Sequence, residues 1–259
     1  MPAASHGPSE PNGRPAGRSG SARHTFSGTA STRRPIGKRS NVAARRRLLA
    51  PSVTLDLMPT AIAPMHPTLV AQPFHHDGWL YEEKVDGWRM LAYKVAGTVK
   101  LVSRNGLDHP RRFPGIVATL RKLDASGLIL DGEVAVYDAQ LVSRFEWLRH
   151  ASPPDLSTPP LFMVFDCLQA RGKDLRKEAL YVRRNVIEDV LDEQDMVLPV
   201  RRLADHGLKA WQQVLEHGYE GLVAKDPESR YVGGRSLKWL KVKQPKYREG
   251  ERGWEPKGK

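Results

Sequence analysis

Cysteine is almost missing from this chain: Cys167 is the one thiol in 259 residues. That excludes an intramolecular disulfide, a Cys-rich zinc site and a Cys-X-X-Cys redox pair, and it fits a reducing compartment. No apolar run approaches the roughly 18 residues of a membrane-spanning helix, so no membrane partner is expected. Acids are nearly absent from residues 1–50, where Glu10 stands against ten bases, among them Arg14, Arg18, Arg23, Arg33 and Arg34. The same stretch lacks the continuous apolar core of a secretory signal. Being rich in Arg and Ser, it matches either an organellar transit peptide or a basic tail, with Met58 and Met65 as alternative starts.

The net charge of +12 points first to a polyanionic partner such as nucleic acid. Most of it lies in residues 1–50, and the rest of the chain is nearly balanced. The tail has neither a period of 2 nor one of 3.6, so it cannot bury enough apolar surface to offset the entropy of ordering. The organisation expected is a disordered basic tail over 1–50, one structured domain over 51–245 and a basic tail over 246–259. Flexible cations of that kind bind phosphates without sequence preference, with affinity falling as salt rises.

From Trp79 onward, short β-like runs separated by turn residues predict strands over 79–83, 89–95, 99–103, 128–137, 161–168, 196–200, 221–225 and 237–242. Helices are expected after Pro114, over 178–191 and over 208–218, the last on a stripe of Leu208, Trp211 and Leu215. Ser143 and Glu146 form a capping-box pattern. The proline-rich segment 151–160 reads as irregular. Strands adjacent in sequence, such as 89–95 and 99–103 around Gly97, imply hairpins and therefore an α+β fold.

The segment Glu82-Glu83-Lys84-Val85-Asp86-Gly87-Trp88-Arg89 places a lysine at the exit of an apolar strand, ahead of an acid and a glycine turn. A lysine amine is a nucleophile when neutral, but the same letters also fit an edge-strand lysine before an Asp-Gly turn. Five further segments follow in order: Ser103-Arg104-Asn105-Gly106, Leu130-Asp131-Gly132-Glu133, Phe165-Asp166, Glu220 to Lys225, and Lys238 to Lys243. Each alone reads as strand ends, core or a charged edge. Together they supply an amine, cations for a triphosphate, carboxylates for a metal and an aromatic for a purine.

In this order and at these spacings the six segments resemble the adenylation (nucleotidyltransferase) domain of ATP-dependent DNA ligases, most of all the bacterial repair type. Those open much as Pro64-Met65-His66-Pro67-Thr68-Leu69-Val70 and Trp79-Leu80-Tyr81-Glu82 do here, and the likeness covers about residues 55–245. It implies an ATP-grasp-like domain of antiparallel sheets flanked by helices. It also implies a reaction in which Lys84 attacks the α-phosphate of ATP and holds AMP as a lysyl phosphoramidate, for transfer to a DNA 5′-phosphate and sealing of a nick. By the same resemblance Glu82 would accept from the adenine amino group, and Arg89 and Arg104 would contact ribose and phosphates. Glu133 would lie near ribose or metal, Phe165 would stack on adenine, and Glu220 would help place Mg²⁺ or Mn²⁺. Lys225, Lys241 and Lys243 would converge on phosphate charge, and Asp86 would support the lysine.

The implied partner is nicked duplex DNA, in the bacterial cytoplasm with the nucleoid. Ligases of this family continue into an oligonucleotide-binding (OB-fold) barrel, whereas sixteen residues follow Lys243. The expectation is a domain without its barrel, with a separate OB-fold or DNA-end-binding protein as one way to supply it. An RNA ligase, a capping-type nucleotidyltransferase and a non-catalytic nucleic-acid-binding remnant are the alternatives. A histidine metal site is not expected, since His75 and His76 are adjacent with no third ligand at suitable spacing.

Overall fold

The structure, a computed structural model, describes residues 62–149, 157–245 and 247. The expected tail over 1–50 and most of 246–259 and of the proline-rich segment lie outside the described residues. Among the described residues ten strands form two sheets. The first has the order β1 (Met65–Leu69), β10 (Gly234–Lys243), β9 (Gly221–Lys225), β2 (Leu80–Glu83). The second runs β4 (Thr98–Ser103), β3 (Trp88–Val95), β5 (Leu128–Ala135), β6 (Leu161–Ala170), β7 (Lys173–Asp174), with β8 (Val197–Pro199) also paired to β6. Pairing is antiparallel except for β1 with β10 and β6 with β8.

Alternation along the strands sets the layers. In β3, Met90 and Ala92 face one apolar cluster with Ile116 and Leu120 of α1 (Pro114–Lys122) and Ile187 of α2 (Leu180–Val190). Leu91 and Tyr93, one residue out of phase, face a second cluster with Met65 of β1 and Trp239 of β10. Burial on both faces gives β3 its apolar run Met90 to Tyr93, while β5 interrupts its own with Asp131 and Glu133, two carboxyls that serve the cleft side. On the first sheet, Tyr81, Leu222 and Ala224 turn outward to Ala210 and Val214 of α3 (Gly207–His217). The alternate residues Glu82, Val223 and Lys225 turn toward the cleft between the sheets.

The β3–β4 hairpin turns on Ala96 and Gly97, both at positive φ (46° and 81°), the conformation a two-residue turn of matching twist demands. Three local expectations are corrected. The stripe on α3 is not Leu208 and Leu215, which are half-exposed, but Gly207, Ala210 and Val214. Small residues win because α3 starts hard against β2 and the segment before it; a Cβ on Gly207 would sit 2.0 Å from the Phe74 carbonyl oxygen and 2.7 Å from the Tyr81 ring. Ser143 caps no helix: 145–149 is a 3₁₀ turn, and the Ser143 Oγ instead accepts the Asp86 N–H at 2.8 Å. Strand β1 escapes the alternation because it carries Pro67 at a register shift, which an edge strand tolerates.

Candidate active site

The two sheets enclose an open cleft of about 170 Å³, lined from seven strands and the loop after β2. Lys84 leaves β2 at the mouth of this cleft, held by its backbone N–H to the Gly221 carbonyl at 3.0 Å. Gly87 closes the loop at ordinary φ; the reason for glycine is contact, since a Cβ there would meet the Val134 carbonyl oxygen at 2.5 Å.

Lys84 Nζ donates to Glu220 Oε2, and Glu220 Oε1 lies 3.1 Å from Lys243 Nζ, so one buried carboxylate bridges two lysines. Lys241 completes a cationic side of the cleft. Burial pushes its amine below the ordinary lysine value, and the like charges of Lys84 and Lys243 push it further. Glu133 lies across from them on β5 and pairs in register with Arg89. Its carboxyl is pushed up to about 7 by burial, relieved by Arg89 and Lys84 and aggravated by Glu220 and Asp131. A carboxyl in that position is short of positive charge.

Arg89 is less available than its place in the motif implies. Its Nε and Nη2 form a fork onto Asp131 at 3.0 and 2.6 Å, and Nη2 also reaches the Met65 carbonyl at 2.7 Å. Its Nη1 lies 3.3 Å from His66 Nδ1, and since a guanidinium only donates, that nitrogen must accept. Tyr231 donates to the same Asp131 at 2.6 Å, so the fork is locked from behind. What Arg89 offers the cleft is chiefly its plane, with Cζ 5.1 Å from the centroid of the Phe165 ring.

Glu82 and Lys225 are likewise engaged with each other, at 2.6 Å, and Arg184 Nη1 lies 3.2 Å from the second Glu82 oxygen. Lys225 Nζ sits 4.6 and 4.3 Å from the Phe165 and Trp239 ring centroids, and burial lowers its pKa. Lys225 is therefore fixed under the aromatic wall, and the two Glu82 oxygens face Lys225 and Arg184, the second of them at ion-pair distance without a hydrogen bond. Arg104 is exposed in the turn after β4 and outside the lining; its tie to the cleft is the charge that, with burial and Arg89, lowers the pKa of His66.

Asp86, buried beside Lys84, turns away from the cleft toward Ser143, Phe145 and Tyr247. The sequence alone did not single out His66, Trp239, Arg184, Tyr231 or Tyr247. Trp239 had a signal, its alternation with Lys241 and Lys243 on β10; Arg184 and Tyr247 had none. Among the described residues no cluster of three or more His, Cys, Asp or Glu could hold a metal alone. His75 stacks on His206 at 3.9 Å.

Residues 63–243 match the family described as the ATP dependent DNA ligase domain. The multifunctional non-homologous end joining protein LigD of Pseudomonas aeruginosa is 33% identical over 210 residues, 80% of this chain and 25% of that protein. DNA ligase C1 of Mycolicibacterium smegmatis is 33% identical over 178 residues, 64% of this chain and 51% of that one. Among solved structures, mycobacterial DNA ligase D complexed with ATP and MES superposes with a TM-score of 0.63 at 28% identity, over 72% of this chain and 61% of that chain. The chain thus spans about a quarter of the length of the LigD protein it matches.

Proposed function

The chain belongs to the family of ATP-dependent DNA ligase domains, and on that premise we propose that Lys84 captures AMP from ATP as the first step of joining nicked duplex DNA. The observation that carries the reading is the Lys84–Glu220–Lys243 bridge at the mouth of a cleft with an aromatic wall. In the proposed step Lys84 Nζ forms a bond to the α-phosphorus, the bridging bond to the β-phosphate breaks, and pyrophosphate leaves with its electron pair. Nζ must shed a proton, and Glu220 Oε2 is the acceptor already in contact with it. Lys241 and Lys243 neutralise charge gathering on the phosphates, the main catalytic need in such a displacement. Phe165, backed by Arg89 and Lys225, offers the face on which a purine stacks.

Glu133 and Glu220 fit Mg²⁺ or Mn²⁺ as a pair of carboxylates, a number that suffices when phosphates and waters complete the shell. Such an ion would screen the phosphates and supply the positive charge that Glu133 lacks. Transfer of AMP to a DNA 5′-phosphate returns the amine of Lys84, and attack by the 3′-hydroxyl then seals the strand and releases AMP. Duplex DNA, a separate barrel-containing or end-binding partner, and a place in bacterial DNA repair beside the nucleoid belong to the same proposal. Among the described residues no helix is long and apolar enough to cross a membrane.

Incubation with labelled ATP, GTP or NAD tests the reading. Acid-labile protein label from ATP alone supports it. Label from GTP would move the chain to capping-type chemistry, and none from any nucleotide would make it a non-catalytic relative.

A further inference from the structure

We propose that Tyr247 is a positioning residue for Lys84, holding the nucleophile loop through Asp86 from the stretch that follows β10. The proposal rests on the reading of Lys84 given above. Three contacts carry it. The Tyr247 hydroxyl lies 3.0 Å from Asp86 Oδ2 and 3.0 Å from the Ser143 carbonyl oxygen. Asp86 in turn accepts from the Phe145 N–H and gives its own N–H to Ser143 Oγ at 2.8 Å. Tyr247 therefore ties the residue two places after Lys84 to the segment around Ser143, and the side chain of Asp86 is anchored there rather than offered to a ligand.

The same stretch holds the other end of the nucleophile's surroundings. The Gln244 N–H donates to the Glu220 carbonyl at 3.0 Å, its Nε2 donates to the Tyr219 carbonyl at 2.5 Å, and the Tyr247 N–H donates to the Gln244 carbonyl at 3.2 Å. Glu220 is the carboxylate in contact with Lys84. A closed circuit results: Lys84 to Glu220 by side chains, Glu220 to Gln244 and Gln244 to Tyr247 by backbone, Tyr247 to Asp86 by side chains. The Lys84 N–H on the Gly221 carbonyl and the Gly87 backbone against Val134 hold the two ends of the loop, and Tyr247 holds the residue between them.

A phenol has one hydrogen and here faces two acceptors, so full satisfaction needs a proton on Asp86 as well. Burial, and next the Glu220 charge, raise the pKa of Asp86 in the direction this requires. Among the described residues no cation pairs with Asp86 within salt-bridge distance, and Tyr247 is the side chain that donates to its carboxyl. Releasing this tie would let Lys84 drift from in-line geometry, an error to which displacement rates are steeply sensitive.

The test uses the full chain and its Tyr247→Phe, Asp86→Asn and doubly substituted variants, with single-turnover labelling by ATP and Mg²⁺. Tyr247→Phe keeps the ring and removes only the hydroxyl. The expected result is a saturating labelling rate about tenfold lower, an unchanged half-saturating ATP concentration, a fold still intact at the assay temperature, and a double variant no slower than Asp86→Asn alone. A Tyr247→Phe rate equal to the parent, or effects that multiply in the double variant, would overturn the proposal. Should the parent take no label, the proposed reaction fails, and hydrogen exchange still judges the tie: faster exchange of the Asp86 amide in Tyr247→Phe supports it, and equal protection overturns it.

Discussion

Two buried acid–base pairs in this molecule differ in what their partners leave unsatisfied. Arg183 on α2 and Asp166 on β6 meet as a double hydrogen bond at 2.7 and 2.8 Å, both side chains at 0% exposure. Arg183 Nη1 also donates to the Glu178 and Ser229 carbonyls, so the pair is closed to any third party. Lys84 and Glu220 are a looser pair, the lysine 18% exposed and the carboxylate shared with Lys243. The first fixes a helix to a sheet. The second puts more positive than negative charge at a cleft mouth, where an anion can complete it. Reactivity in this fold is therefore expected where a buried pair is open on one side, while a charge sealed on all sides holds structure.

Lys84→Ala gives the sharpest expected contrast: complete loss of covalent label from ATP with the melting midpoint kept. Retained label would place the nucleophile elsewhere. Glu220→Gln keeps the shape and removes the proton acceptor, so the labelling rate should fall about a hundredfold or more; a rate near the parent's would assign Glu220 to charge balance alone. Arg183→Met leaves Asp166 buried without its cation and should cost about 3–5 kcal/mol of stability, read as denaturant midpoint, while folded molecules still take label. Loss of label in a fully folded Arg183→Met would erase the distinction between the two pairs.

Glu83 offers an intermediate case. Burial pushes its carboxyl up to about 7 from 4.5, with Arg201 only partly offsetting, and neither oxygen has a hydrogen bond. The folded chain keeps a proton there that the unfolded chain sheds near pH 4.5, so stability is lost as pH rises from about 4.5 to about 7 and stays lost above. Glu83→Gln should flatten that fall, by at most about 3 kcal/mol at pH 7 and above; parallel stability curves for variant and parent would contradict it. The smallest effect belongs to Leu208→Ala and Leu215→Ala on the exposed side of α3, expected within about 0.5 kcal/mol, against a clear loss for Val214→Ala.

Local pattern made most strands legible, including β2 and β9, whose pairing joins residues far apart in sequence; the two-residue β7 was too short to show one. Strand β3, buried on both faces, and its hairpin with β4 follow from local pattern and turn residues. Strand β1 did not, because Pro67 at its register shift hides the alternation. The face of α3 was misjudged because large apolar residues drew attention where close packing required Gly207 and Ala210. In the site, Lys84, Glu133, Phe165, Glu220, Lys241 and Lys243 are brought near one cleft by β2, β5, β6, β9 and β10, as the ordered motifs implied. The pairings were not legible: that Arg89 is occupied by Asp131, Lys225 by Glu82, and Asp86 by Tyr247 depends on contacts between segments far apart in sequence that no spacing encodes.

Peptide mapping by mass spectrometry after incubation with ATP and Mg²⁺ locates the nucleophile. The expected result is one AMP per molecule, on the side chain of Lys84. An adduct on Lys225, Lys241 or Lys243, or a chain that emerges unmodified from saturating ATP, would contradict it.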